Sequence, residues 1–388
     1  MDIKSNKDCF VYLLQCGIRG ISPTKLKDKN INLKEIFDLA VEHRVENIIY
    51  LALSGIESFK KSAANKIMEE LYMHAVAREA KQELESKRIM DAFEDAGIVH
   101  MPLKGFIIKN LYPSPDLRQS TDFDIWVPEK FNRRSYEVMT KLGYECDEAH
   151  IGYGMHDEYK LGDLMIAEVH KNLMAPEFPK WCRLCDELIE NIKLTEGYHY
   201  RYEFSKEDYY LYMQLHTIKH LKFSSTGVKS VLDIWIYLNQ YNDVLDWDYI
   251  NKMLDKGNIT EIDRNLRDLS RYWFDDTELP SELIGKLSDF IISNGAFGTY
   301  EQYLSGRKTD ENAFHKFYLM FFKPYSEMAL KYPILKKAPF LLPIMWIYRA
   351  LNAVFRKKGA AVIPAGKNCA VDEEYMNELS KFKKEIGL

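Results

Sequence analysis

The sequence lacks any apolar stretch long enough to cross a membrane. Its most apolar run, APFLLPIMWIY at residues 338–348, has eleven residues and contains two prolines, whereas a membrane-spanning helix needs about 20 residues. We therefore expect a buried or interfacial segment there. Basic residues lie on both sides of the run, Lys336 and Lys337 before it and residues 356–358 after it. A role at a membrane surface therefore stays open.

Cysteine is also scarce, with six residues scattered over a chain of 388. Only Cys182 and Cys185 have a spacing seen in metal and redox sites, and no second pair accompanies them. Their neighbours Trp181, Leu184 and Leu188 favour packing on one face of a helix. We expect no disulfide framework and no secretory signal, and we predict a reducing, cytoplasmic location.

The chain has no large excess of charge of either sign. Its formal net charge is −5, with 29% charged and 46% hydrophobic residues. This balance gives no overall electrostatic case for nucleic acid or an anionic membrane as a partner. The composition is that of a soluble globular protein, and the length predicts two or three domains.

The N-terminal quarter has helical periodicity. Asn32 together with Glu35 indicates a helix cap region, and residues 58–96 contain neither proline nor glycine. The spacing of apolar residues over that stretch predicts one long helix or two close ones. Gly97 is expected to end it.

The pattern changes after Gly97. Short extended runs alternate with helical ones between residues 98 and 173, and Gly162-Asp163 has the composition of a hairpin turn. Helical patterns then return from residue 205 to about residue 358. We therefore predict an α+β fold with a helical region at 1–96, a small mixed-sheet core at 97–204 and a second helical region at 205–388.

Two aspartates in the run TDFDIWV stand out because they share one face of a predicted strand. Side chains two residues apart on a strand point the same way, so Asp122 and Asp124 repel each other unless a cation lies between them. Mg²⁺ prefers such hard oxygen ligands. Glu168, on the second arm of the predicted hairpin, would complete a two-metal site. The alternative, that all three are solvent-facing acids on edge strands, stays open.

The segment MPLKGFIIKNLYPSPDLRQSTDFDIWV, residues 101–127, resembles the uncharacterised nucleotidyltransferase family of the DNA polymerase beta-like superfamily. The shared features are a Leu-Lys-Gly segment, a short helix ending near Tyr-Pro, an Arg, and Asp-x-Asp on a strand. A helix ending in Leu-Gly-Tyr at residues 142–144 and a later Glu168-x-His170 also match. The resemblance departs from the wider superfamily in one respect: the usual Gly-Ser pair is represented only by Lys104-Gly105.

This resemblance implies a polymerase beta-like core that transfers a nucleoside monophosphate from an NTP such as ATP to a hydroxyl of a small molecule or protein. Asp122, Asp124 and Glu168 would be catalytic and would hold two Mg²⁺ ions, with Mn²⁺ as an alternative, while pyrophosphate leaves. The nucleotide-binding residues expected from the same resemblance are Lys104, Gly105, Arg118, His220 and Asp233. The acceptor, the base and the oligomeric state are left undefined by the sequence.

Two histidines one helical turn apart, His216 and His220, have the spacing of zinc ligands. The glutamate of a metalloprotease motif is missing, because Thr217 stands there. Both lie on an apolar stripe with Tyr209, so packed core histidines are the first expectation. Asp233 lies opposite another apolar stripe and is expected to face water or a cleft.

Two other functions remain as alternatives. A metal-dependent glycosyltransferase also uses an Asp-x-Asp motif, but it would need a larger α/β region upstream and has no need of Glu168. A catalytically inactive nucleotide-binding or regulatory protein of the same fold is compatible with the incomplete Gly-Ser pair. Nucleotide binding without pyrophosphate release would identify the inactive protein.

Overall fold

A computed structural model of the protein describes residues 3–26, 32–147, 151–152, 154–295, 334–348 and 373–388, together with residues 325, 328 and 332. Its elements are mainly α-helices arranged around one small mixed sheet. The helices are α1 (Asn6–Arg19), α2 (Leu33–His43), α3 (Glu46–Leu53), α4 (Glu57–Lys60), α5 (Ala63–Asp95), α6 (Lys104–Ile108), α7 (Asn132–Lys141), α8 (Pro179–Glu190), α9 (Lys206–Phe223), α10 (Val228–Tyr241), α11 (Trp247–Gly257), α12 (Thr260–Phe274), α13 (Glu282–Asn294), α14 (Ile334–Lys337) and α15 (Glu373–Glu385).

Three of the N-terminal helices, α1, α2 and α5, begin at side-chain caps. The Asn32 side chain accepts a hydrogen bond from the backbone N–H of Glu35 at the start of α2, as the sequence predicted. The prediction of one long helix or two close ones over residues 58–96 is confirmed in its second form, since the short α4 ends at Lys60 and α5 then runs for 33 residues from Ala63. It ends before Gly97, whose φ of +64° is a left-handed conformation that glycine adopts without strain.

The main sheet has four strands in the order β1-β2-β4-β3, and it mixes parallel and antiparallel pairing. Its strands are β1 (Met101–Pro102), β2 (Asp122–Trp126), β3 (His156–Leu161) and β4 (Met165–His170). The predicted hairpin at Gly162-Asp163 joins β3 to β4 as an antiparallel pair. Strand β2 lies parallel to β4, with Asp124 directly opposite Glu168.

The two faces of this sheet differ in character because side chains alternate along each strand. Phe123 and Ile125 of β2 lie with Ala167 and Val169 of β4 on the apolar face. That face packs on the C-terminal half of α5, for example on Phe93. The carboxylates of β2 and β4 therefore occupy the opposite face, which is turned towards the C-terminal helices.

A second, larger core is formed by helices that precede the main sheet and helices that follow it in the sequence. Buried side chains of α1 and α3 pack in one cluster with those of α9, α10 and α12. A separate two-stranded antiparallel sheet, β5 (Lys193–Leu194) with β6 (Tyr202–Glu203), precedes α9 and was not expected from the sequence. The helical regions before and after the sheet thus share their hydrophobic core.

The apolar run at 338–348 is helical over residues 342–348. Phe340, Ile344 and Ile347 are mostly exposed, at 79%, 60% and 62%, rather than buried. Helices were predicted to continue to about residue 358. Most of the residues between 296 and 358 lie outside the part of the chain that the structure describes. Among the helices described here, none combines the length and the apolarity needed to cross a bilayer.

Candidate functional site

Three carboxylates meet on the polar face of the sheet. Asp122 and Asp124 emerge from β2, and Glu168 emerges from β4 at the position paired with Asp124. Asp124 is buried, with 6% of its surface exposed, while Asp122 and Glu168 are half-buried. The Ser120 hydroxyl donates a hydrogen bond to Asp122 Oδ1 at 3.0 Å. The juxtaposition expected from the sequence is therefore present.

Asp124 is the most heavily contacted of the three. Lys104 Nζ lies 2.9 Å from its Oδ1, and His170 Nε2 lies 2.6 Å from the same oxygen. Burial by itself would raise the pKa of Asp124, but Lys104 and His170 together hold that pKa well below its usual range. Burial and the neighbouring charge of Asp124 instead raise the pKa of Asp122. The two aspartates therefore differ in their affinity for a proton.

Lys104 is placed by its backbone as well as by its charge. Its φ is +41°, an uncommon conformation for a residue with a side chain. The Tyr209 hydroxyl of α9 donates a 2.8 Å hydrogen bond to the Lys104 carbonyl, and the Leu103 N–H donates to the Asp124 carbonyl at 2.9 Å. Although burial opposes it, the charge of Asp124 raises the pKa of Lys104. Its ammonium is thus fixed beside the carboxylates.

Arg118 and Asp233, both expected at a nucleotide, bind each other. Arg118 Nη2 and Nε donate to the Asp233 carboxylate at 2.8–3.2 Å, and the Tyr112 hydroxyl donates to the same carboxylate at 2.6 Å. Asp233 is buried, so the expectation that it faces water or a cleft is wrong. A Cβ on Gly105 would lie 3.0 Å from Arg118 Nη1. Gly105 therefore allows the guanidinium to pass close to the backbone of α6.

Helix α9 presents basic side chains towards the carboxylate face. His216 and His220 are in contact through their Nε2 atoms at 3.1 Å. His220 reaches solvent, yet desolvation by the surrounding protein and the charge of Lys219 lower its pKa to about 3. Desolvation and the charge of Lys104 also lower the pKa of Lys219 to about 8. Within the described part of the chain, the Lys219 ammonium has no carboxylate at ion-pairing distance.

A second lysine, Lys229 of α10, lies near the same loop as Arg118. Its ammonium donates a 2.9 Å hydrogen bond to the Gln119 carbonyl. Burial and the charge of Arg118 lower the pKa of Lys229 to about 7. The group is thus poised between its charged and neutral forms at neutral pH.

The structure brings Asp122, Asp124, Glu168 and Lys104 together, and it places Arg118, Gly105 and Asp233 in an adjoining cluster. His220 lies on the helix that faces them. Three residues near the site, His156, Lys219 and Lys229, were not predicted from the sequence, although two of them could have been.

The antiparallel register about the predicted Gly162-Asp163 turn pairs His156 with His170, and helical spacing places Lys219 on the same face of α9 as His216. Lys229 had no comparable signal.

One comparison with known proteins identifies a family. A family model described as "Uncharacterised nucleotidyltransferase" matches residues 29–275. That range is well over half of the chain and contains every candidate site residue. No curated protein and no solved structure gives a match.

Proposed function

The chain belongs to the uncharacterised nucleotidyltransferase family, and from that membership we propose that it moves a nucleoside monophosphate from an NTP to a hydroxyl acceptor. The observation that carries the proposal is the placement of Asp122, Asp124 and Glu168 on one face of two adjacent strands. We further infer that residues 97–204 are a polymerase beta-like catalytic core between helical regions at 1–96 and 205–388.

The donor set fits a divalent cation. Three carboxylates crowd one face of the sheet, and the only lysine or arginine within ion-pairing distance of them, among the residues described, is Lys104 on Asp124. Hard carboxylate oxygens are the ligands that Mg²⁺ and Mn²⁺ prefer. We propose that Asp122, Asp124 and Glu168 hold the metal ions. The family resemblance implies two ions, either Mg²⁺ or Mn²⁺. Bound there, such ions would neutralise charge on the triphosphate and lower the pKa of the acceptor hydroxyl.

The basic residues around the carboxylates are suited to phosphate oxygens. Lys104 lies beside Asp124 from the sheet side, and Lys219 faces the same carboxylates from α9. We propose that these two ammonium groups bind the triphosphate as point charges. Arg118 and Asp233 are engaged with each other, so in this proposal they shape the nucleotide pocket by holding the Gln119 loop against α10. We propose that His220, which contacts His216 on α9, borders the same pocket.

The proposed reaction forms one bond and breaks one. The acceptor oxygen bonds to the α-phosphorus while the bond from that phosphorus to the α,β-bridging oxygen breaks, and pyrophosphate leaves with the electron pair. Glu168 is the carboxylate that we propose to accept the proton of the acceptor hydroxyl. The glycosyltransferase alternative loses support, because the described residues upstream of β1 form helices rather than a larger α/β region.

The test uses purified full-length protein with α-³²P-labelled NTPs, Mg²⁺ or Mn²⁺, and a mixture of small-molecule and protein acceptors. We expect label to appear on an acceptor with one pyrophosphate released per transfer. Glu168→Gln should abolish transfer, whereas Glu137→Gln should leave it intact. Glu137 is a matched control because it is an exposed glutamate on α7, away from the sheet face of the site, and pairs with Arg133.

Two other outcomes would contradict the proposal. NTP binding without label transfer or pyrophosphate release, over a broad acceptor set, would identify an inactive nucleotide-binding protein. Transfer of a sugar from a labelled sugar nucleotide, unaffected by Glu168→Gln, would support the glycosyltransferase instead.

A further inference from the structure

Two histidines lie beside Glu168 on the face of the sheet that carries the carboxylates. His156 of β3 and His170 of β4 flank Glu168, and one potential ligand atom from each lies within 4.8 Å of the others. We propose that His156, Glu168 and His170 form a binding site for a first-row transition-metal ion of the Mn²⁺ or Zn²⁺ type. This rests on the proposed function for the role of Glu168, and it goes further by naming a different kind of ion and two new ligands.

The hairpin fixes these side chains in one place. His156 and His170 are directly paired in the antiparallel register of β3 and β4, so both imidazoles lie on the same face of the sheet. Glu168 precedes His170 by two residues and shares that face. The two imidazole rings have centroids 5.0 Å apart. The cluster is therefore built on regular strands rather than on loops.

The spacing of the ligand atoms suits a small cation. Glu168 Oε2 lies 3.2 Å from His170 Nε2, and Glu168 Oε1 lies 3.7 Å from His156 Nε2. With metal–ligand bonds of about 2.0–2.2 Å, neighbouring ligands of a tetrahedral ion are about 3.3–3.6 Å apart. Two of the three separations are close to this range. Asp124 Oδ1 lies 2.6 Å from the same His170 Nε2, a hydrogen-bond distance, so the imidazole would exchange this contact for the ion.

The ligand types decide which ion is favoured. Mg²⁺ takes oxygen ligands and retains its waters, whereas imidazole nitrogen suits Zn²⁺ and the later transition ions best, and Mn²⁺ accepts imidazole beside a carboxylate oxygen. Among the residues described, no lysine or arginine lies within ion-pairing distance of Glu168, whose nearest charge partners are the two histidines. The end of the carboxylate face at Glu168 thus differs from the end at Asp122, whose carboxylate accepts a hydrogen bond from the Ser120 hydroxyl. The two ends should select different ions.

The test measures Mn²⁺ binding by electron paramagnetic resonance, with full-length protein, no nucleotide and a large excess of Mg²⁺. We expect one Mn²⁺ to remain bound in the wild-type protein and Zn²⁺ to displace it. Since losing even an outer partner of a ligand weakens metal sites about 10–100-fold, His156→Gln should weaken Mn²⁺ binding at least tenfold. His74→Gln is the matched control, because His74 is an exposed histidine on α5, far along the chain from the cluster.

A second variant guards against misfolding. His156→Cys should restore tight Zn²⁺ binding and give a thiolate-to-cobalt charge-transfer band with Co²⁺, which places the ion at residue 156 directly. The proposal is overturned if Mg²⁺ displaces all bound Mn²⁺, or if His156→Gln binds Mn²⁺ as tightly as His74→Gln does. If the protein transferred nucleotide from NTP with Mg²⁺ but showed no Mn²⁺ site of this kind, the metal-site proposal would fail while the proposed function would stand. A retained Mn²⁺ site without any transfer would instead remove only the proposed reaction.

Discussion

Replacing Asp233 by Asn tests whether the Arg118–Asp233 contact is a structural pair. The two side chains are 15% and 7% exposed, and three N–O contacts of 2.8–3.2 Å join them. Asp233→Asn keeps the shape and an acceptor oxygen for the Tyr112 hydroxyl, but it leaves the buried guanidinium without a counter-charge. Breaking a buried pair in this way costs about 3–5 kcal/mol. We expect a loss at the lower end of that range.

The measurement is the free energy of unfolding from denaturant titration, supported by Tm. For 388 residues at about 2.1 cal/mol/K of unfolding entropy each, a loss of about 3 kcal/mol corresponds to a fall in Tm on the order of 4 °C. Asp289→Asn is the matched control, since Asp289 is 71% exposed and lies 3.3 Å from Lys7. Exposed pairs contribute up to about 1 kcal/mol, so the control should change little.

A double-mutant cycle completes the test. Arg118→Met removes the other partner, and the double variant with Asp233→Asn should be less destabilised than the sum of the two single variants, by about 1–3 kcal/mol. Equal stability losses for Asp233→Asn and Asp289→Asn would refute the reasoning. If Asp233→Asn weakened ATP binding without affecting unfolding, the pair would be a direct nucleotide contact instead.

Three further predictions concern the same region. Gly105→Ala should destabilise the protein by about 1–3 kcal/mol in denaturant titration, because its Cβ would meet the Arg118 guanidinium at 3.0 Å; an unchanged midpoint would show that the guanidinium moves freely. Lys219→Met should weaken binding of Mg²⁺–ATP about 10–100-fold in calorimetry, the value of one charged hydrogen bond, while Lys219→Arg should weaken it less. Lys229→Met should stabilise the protein most below pH 7. The pKa of this amine falls from 10.5 when unfolded to about 7 when folded, so the wild-type protein gains stability as pH rises through that window and the difference should vanish near pH 10.5. A difference independent of pH would contradict this account.

Much of the secondary structure could be predicted from local patterns in the sequence. The cap at Asn32, the end of a helix before Gly97 and the turn at Gly162-Asp163 all depend on neighbouring residues, and each was predicted. Strand periodicity together with the family resemblance placed Glu168 in one site with the two aspartates, whereas its register opposite Asp124 was not predicted. That family membership is confirmed by the match over residues 29–275.

Contacts between distant segments could not be predicted in the same way. The burial of Asp233 depends on Arg118 and Tyr112, which lie more than 110 positions away in the chain. Lys104, with its positive φ, accepts a hydrogen bond at its carbonyl from a hydroxyl of α9, about 105 positions further along the chain. Helical periodicity gives the face on which a side chain lies but does not identify the element that packs against that face. The roles assigned to the individual site residues therefore stay predictions.

The alternation of the two sheet faces limits how the protein can change in length during evolution. Ala167 and Val169 fill the apolar layer, and Glu168 and His170 between them carry the proposed chemistry. Inserting or deleting one residue within β4 ahead of Ala167 would exchange these two sets, and so would lose the core and the site in a single event. Length variation among relatives should therefore be confined to the turn between β3 and β4. Within the strand itself, it should occur only in steps of two.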